Sequence, residues 1–339
     1  MNLYVAAFTA RGVALAERLC SLFPAAEASA PERIAAGLVA PMNSLDGWTK
    51  AHFQTGNTLL FIGATGIAVR AIAPYIKSKE TDPAVLCMDE RGRHVIPLLS
   101  GHLGGANRAA REIAEAVGGR AILTTATDVE GIFSPDDWAR EQGLRVAELS
   151  AIRTVSAALL ESKPVGFISD YPIEGPLPEG LTAGAGQEQE MGIYVGLGAP
   201  PFPHTLQLLP PVVVAGMGCR KGVPEETLRQ KLEEAMEKAK LPMRALTSIV
   251  SIDLKAAEPG LLALCKNLSI SFCTYSADEL AALPGEFTLS ERVQKVTGVD
   301  NVCERAVVAA GGSLVLRKQA GDGVTVALGL LPWIGTFET

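Results

Sequence analysis

Paired cysteines, long apolar runs and positive charge are all scarce in this sequence. The six cysteines, Cys20, Cys87, Cys219, Cys265, Cys273 and Cys303, form no CxxC pair, and the four histidines are scattered. Such spacing argues against a zinc site and fits free thiols in a reducing compartment. No window approaches about 18 uninterrupted apolar residues, so no membrane span is expected. Met1–Phe8 lacks a basic segment followed by a long apolar core. No signal peptide is therefore expected, and the chain is placed in the cytoplasm. The net charge of −7 excludes a surface built to coat nucleic acid. An anionic small ligand would need local positive charge. Aromatic residues are few, whereas alanine and glycine are plentiful and suit close helix–sheet packing.

What is present is 339 residues, almost half of them apolar, enough for two or three domains. Apolar runs at Leu3–Phe8, Thr58–Ile62, Ala84–Met88, His94–Leu99 and Ala121–Thr124 alternate with helical periodicity at Val13–Phe23, Ile67–Ile76 and Gly105–Val117. The alternation predicts an α/β layered N-terminal domain over 1–133. From Ser134 the pattern loosens, and 134–210 reads as a middle region and linker. Pro172–Gly186 is aperiodic, and Gly198–Pro211 carries five prolines. A second α/β domain is expected over 211–336. It starts with a strand at Val212–Ala215 and a helix at Pro224–Lys240. The whole is thus a multi-domain α/β protein joined by a Pro/Gly-rich linker.

Several loops carry chemistry-bearing residues. Gly63-Ala64-Thr65-Gly66 follows a strand and opens a helix. It fits an anion cradle or simply a tight turn. Ser100-Gly101-His102-Leu103-Gly104-Gly105-Ala106-Asn107 places a hydroxyl, an imidazole, three glycines and an amide in another strand-to-helix joint. His102 could serve as acid or base near neutral pH, or merely cap backbone. Asp89-Glu90-Arg91-Gly92-Arg93-His94 reads as a hairpin turn in which Glu90 or His94 is a weaker acid–base candidate. From Phe61 to Glu112, seven Arg/Lys outnumber five Asp/Glu, and Arg70 is among the possible carboxylate partners.

Gly216-Met217-Gly218-Cys219-Arg220-Lys221-Gly222 suggests a loop that holds an anion through amides and charge. Its third glycine is one position late for a dinucleotide loop, and residue 238 is Lys where a ribose-binding acid would be needed. Cys219 could be a nucleophile or a small buried thiol. Glu304-Arg305 reads as a structural ion pair.

Together these strings resemble the cobalt-precorrin-5A hydrolase (CbiG) family. The N-terminal likeness runs through Gly63–Pro74, Lys77–Val85 and Val95–Asn107. The C-terminal likeness lies in Gly218–Gly222, Leu254-Lys255, Glu258–Leu261 and Val302–Ala306, and that part is also similar to CobE. The resemblance implies a hydrolase of anaerobic cobalamin synthesis that opens a δ-lactone on a cobalt-bound macrocycle and releases acetaldehyde. It implies no cofactor or metal ligand of the protein's own, because cobalt belongs to the substrate. It further implies a cobalt-corrinoid as partner and neither nucleic acid nor membrane. Self-association and transient contact with neighbouring pathway enzymes are left open.

For that chemistry His102 is the leading base, with Glu90 and His94 behind it. Substrate contacts are expected from Gly63, Thr65, Gly66, Arg70, Ser100, Gly101, Gly104, Gly105, Asn107, Gly216, Gly218, Arg220, Lys221, Glu304 and Arg305. The amides of Gly101–Gly105 would hold the oxyanion. Two other readings are a corrinoid carrier without turnover and a nucleotide-dependent enzyme using the Gly216–Gly222 loop.

Overall fold

Alternating apolar segments build a layered architecture in each of two compact units, Met1–Glu141 with Leu159–Lys163, and Gln142–Ala158 with Pro164–Thr339. The computed structural model describes residues 1–337 except 36, 79–80, 103 and 185–188. Lys79, Glu80 and Leu103 of the family-like strings, and 185–188 of the proposed middle region and linker, lie outside the described residues.

The first unit runs β1 (Asn2–Ala7), α1 (Ala10–Leu22), β2 (Glu27–Pro31), α2 (Glu32–Ala35), β3 (Ala40–Met42), α3 (Leu45–His52), β4 (Asn57–Ile62) and α4 (Thr65–Ile72). It continues with β5 (Ala84–Met88), β6 (His94–Leu99), α5 (Ala106–Val117), β7 (Arg120–Ala121), α6 (Ala126–Glu130) and α7 (Pro135–Glu141). The seven strands form one sheet in the order β3-β2-β1-β4-β5-β6-β7. Strands β1 to β5 pair in parallel, whereas β6 returns antiparallel to β5.

Side chains alternate across this sheet. Val5, Leu60, Ile62 and Met88 pack with Val13 and Leu19 of α1 and Ile113 of α5. Ala6, Leu59, Phe61 and Val85 pack on the opposite face with Trp48 of α3 and Ala68 and Ile72 of α4. The central strands are buried on both sides, as parallel strands require. Helix α4 stops at Ile72, two residues ahead of Pro74, short of the expected Ile76. Helix α5 buries Ala106, Ala109, Ala110 and Ile113 and ends at left-handed Gly118.

In the second unit, β8 (Arg145–Val146), α8 (Leu149–Leu160, its last two residues in the first unit), β9 (Val165–Ser169), β10 (Ile173–Glu174), β11 (Leu181–Ala183), β12 (Met191–Val195) and β13 (His204–Leu209) come first. Then follow β14 (Val213–Cys219), α9 (Glu225–Lys238), β15 (Leu246–Ile252), α10 (Pro259–Leu268), β16 (Ser271–Tyr275), α11 (Ala277–Ala281), α12 (Glu291–Thr297), α13 (Cys303–Ala309), β17 (Ser313–Gly321), β18 (Val324–Leu330) and β19 (Gly335–Thr336). One sheet has the order β11-β9-β12-β13-β8 and another β16-β15-β14-β18-β17.

Two expectations are corrected here. Gly198–Pro211 is not a linker over its length: it holds β13, paired along Met191–Val195 of β12, and its prolines flank the strand rather than interrupt it. Gly216 and Gly218 are not in a loop. They lie inside β14, opposite Ala327 and Thr325 of β18. A Cβ on Gly216 would come 1.8 Å from the Cys303 carbonyl oxygen, so the glycine is there to let α13 approach the strand. Among the described residues no helix is long and apolar enough to cross a membrane.

Candidate active site

The site is built where β6 hands over to α5. Ser100 has φ 58°, and this left-handed turn swings the chain away from the sheet. Its hydroxyl donates to the Asp82 carbonyl at 3.1 Å. The amides of Ala106 and Asn107 donate back to the Ser100 and Gly101 carbonyls at 3.0 and 2.9 Å, and the Gly105 amide to the His102 carbonyl at 2.8 Å. A Cβ on Gly104 would fall 2.2 Å from Cβ of Ser100, so only glycine closes the loop. One of the amides expected to serve a ligand, that of Gly105, is therefore spent on the loop itself.

Folding the loop back this way presents His102 to α6 and α7. Its Nδ1 is hydrogen-bonded to Asp137 Oδ2, with Ser134 Oγ 3.3 Å away. Its Nε2 has looser neighbours, Thr127 Oγ1 at 3.3 Å and Asp128 Oδ2 at 4.0 Å. Arg140 Nε donates to the His102 carbonyl at 3.0 Å and pins the loop from α7. Burial alone would push the imidazole's pKa down. The Asp137 hydrogen bond and the charges of Asp136, Asp137 and Asp128 outweigh it, and the pKa is raised.

Asn107 is 1% exposed and fixes the other wall. Its amide donates to Asp128 Oδ2 at 2.7 Å and to Thr125 Oγ1 at 3.1 Å. Asp128 also accepts from Arg111 and from the Thr125 hydroxyl. A cavity of about 480 Å³ opens beside these groups, lined by Ser100, His102, Asn107 and Asp136 against an apolar wall that includes Leu98 and Leu99. A tightly held imidazole nitrogen, a looser one and a half-apolar cleft are the parts that a general base for attack by water requires.

One donor atom each from His102, Asp128 and Asp137 lie within 4.8 Å of one another, a spacing that could hold a metal ion. The same carboxylates are already committed, Asp137 to the imidazole and Asp128 to Asn107, Thr125 and Arg111.

The structure does not bring every expected site residue here. Ile62 lies opposite Met88 and Met88 opposite Val95, so Gly63, Thr65, Gly66, Glu90 and His94 share one edge of the sheet. Val85 pairs with Leu99, which puts Ser100–Asn107 at the other edge, roughly 15 Å away by strand rise. Gly63 is used internally: its amide donates to the Met88 carbonyl at 2.9 Å and its carbonyl accepts from the Cys87 thiol. Arg70 and His94 are exposed.

Arg220 and Lys221 follow β14 and are exposed beside Gly222, whose amide donates to buried Glu258 at 2.7 Å. Burial pushes the Cys219 thiol up, against a nucleophilic role. The Glu304–Arg305 ion pair does not form. Glu304, fully buried, accepts from the Thr288 and Lys318 amides and the Thr288 hydroxyl, while Arg305 pairs with Asp300 at 2.6 Å. The nucleotide-dependent reading falls with the loop it required, since Gly216 and Gly218 are bound into the sheet.

Sequence reasoning missed Thr127, Asp128, Ser134, Asp136, Asp137 and Arg140. The run Ser134-Pro135-Asp136-Asp137 was the available signal. A hydroxyl residue, proline at the first helical position and two acids in the first turn announce a helix start.

Residues 47–128 match the family described as cobalamin synthesis G N-terminal, 133–210 the cobalamin biosynthesis central region, and 213–329 the cobalamin synthesis G C-terminus. The chain is 35% identical over 336 residues to a cobalt-precorrin-5A hydrolase of Salmonella typhimurium, covering 95% of each. It is 28% identical to one from Priestia megaterium, over 83% of this chain and 80% of the relative. Over 34% of the chain it is 29% identical to the protein CobE of a Sinorhizobium species, covering 78% of that protein.

Proposed function

The chain belongs to the cobalamin synthesis G family, and from that premise we propose that it hydrolyses cobalt-precorrin-5A. It is an enzyme of cobalamin biosynthesis. Its reaction opens the δ-lactone of the substrate, releases acetaldehyde and leaves cobalt-precorrin-5B. The observation that carries this reading is the His102–Asp137 pair at the cleft, in a chain that matches such a hydrolase over 95% of its length.

Asp137 fixes Nδ1, so Nε2 is the nitrogen that draws a proton from water as the water attacks the lactone carbonyl. The oxyanion is met by the loop amides of Gly101 and Gly104, which the α5 start does not use, and Arg140 keeps that loop in place. On the second unit, exposed Arg220 and Lys221 offer charge suited to carboxylates. Glu90, His94, Gly63, Thr65, Gly66 and Arg70 take no part in the proton transfers. Cobalt arrives in the substrate, and the protein needs no metal of its own. We place the reaction in the cytoplasm.

The test is anaerobic incubation with cobalt-precorrin-5A, trapping acetaldehyde and following the corrinoid by mass. Wild-type enzyme, including enzyme stripped with a chelator beforehand, gives both products. His102→Gln lowers the rate by about 10²–10⁴-fold. Binding without acetaldehyde from the wild type would replace the hydrolase by a carrier.

A further inference from the structure

Hydrolysis and fragment loss are separate bond changes, and His102 accounts for one. In the first, water oxygen bonds to the acyl carbon and the lactone oxygen departs as an alcohol. His102 takes the water proton and returns it to that oxygen. In the second, the alcohol loses its proton, its oxygen lone pair becomes the aldehyde C=O, and the carbon–carbon bond to the macrocycle breaks. The bonding pair passes into the conjugated ring, which takes up a proton. No oxidant or reductant is consumed, but a second base is required, placed on the same cleft.

Resting on the hydrolase reading, we propose that Asp136 is that second catalytic residue and removes the alcohol proton. Four carboxylates surround the cleft, and three are committed. Asp82 accepts the Lys77 amide on both oxygens, at 3.1 and 3.0 Å. Asp128 is tied to Asn107, Thr125 and Arg111. Asp137 is bound to His102.

Asp136 lines the cavity while being only 8% exposed. Its Oδ1 accepts from Ser134 Oγ at 2.9 Å, and its Oδ2 has no hydrogen bond to any described residue. The first turn of α7 thus divides two adjacent acids, Asp137 toward the imidazole and Asp136 toward the space where substrate would lie. Ser134, hydrogen-bonded to Asp136 and 3.3 Å from His102 Nδ1, sets the spacing between the two bases. A carboxylate positioned in this way can take a proton from an alcohol held in the cleft and return it to the ring carbon.

Asp136→Asn enzyme incubated anaerobically with cobalt-precorrin-5A decides the matter, with ring opening read as a mass gain of one water and acetaldehyde trapped separately. The expected result is accumulation of the ring-opened corrinoid, with acetaldehyde release down about 10²-fold while opening continues. Wild-type yields of both products would overturn the assignment. So would an equal slowing of both stages, which would make Asp136 a modulator of His102. Should Asp136→Asn fail to fold, Asp136→Ser is read by the same split. A His102→Gln enzyme that still opens the lactone would instead sink the hydrolase site, a separate outcome.

Discussion

At His102 the balance between burial and neighbouring carboxylates has a measurable sign. The imidazole is raised above its ordinary value of 6.5 when the chain folds. The stability it contributes is therefore fully present below about pH 6.5 and lost as pH rises through the higher folded value. Thermal melts of the wild type should show this loss as pH rises above about 6.5, and Asp137→Asn should flatten it. A base must also be neutral to act. Wild-type activity should climb with pH along a limb above 6.5, and in Asp137→Asn that limb should move to lower pH while the plateau rate falls by about tenfold or more. A pH–rate profile of the two enzymes checks both shifts. An unchanged limb would mean that Asp137 does not set the proton affinity of His102.

At the scale of elements, glycine has opposite uses that look alike in sequence. Gly104 closes a turn, whereas Gly216 lets α13 lie against β14. Gly216→Ala should cost about 1–3 kcal/mol of unfolding free energy or more, because the clash is with the Cys303 backbone rather than a movable side chain. Equilibrium denaturation measures it, and a neutral result would show that α13 can back away.

This ambiguity explains what was and was not legible. Strands β4, β5 and β6 and helix α5 were readable from apolar period and glycine punctuation. The same glycine punctuation after Val212–Ala215 misled, because a strand crossed closely by a helix also needs residues without Cβ. Strand β13 was hidden by the prolines at its ends, although none falls inside it. Helix α7 is too short for periodicity to register, so the partners of His102 went unseen. Nor could sequence show which loops share an edge. That depends on β6 running against β5, and the reversal separates His102 from Glu90 and His94.

For the molecule as a whole, an acidic chain must gather its positive charge to meet a carboxylate-rich substrate. Arg220 and Lys221, on an exposed turn, are the proposed source. Replacing both with Glu should raise KM about tenfold at low salt, with kcat near wild type and the difference shrinking as salt is added. Steady-state kinetics at two ionic strengths test it, and an unchanged KM would remove the turn from the substrate's path. A last consequence follows from the chain order of the first unit, whose residues all precede Pro164. A ribosome has written every group that touches His102 before β9 exists. Residues 164–339 take about 9–35 s to follow at roughly 5–20 residues per second, so over that time a nascent chain already carries all the parts of the candidate cleft.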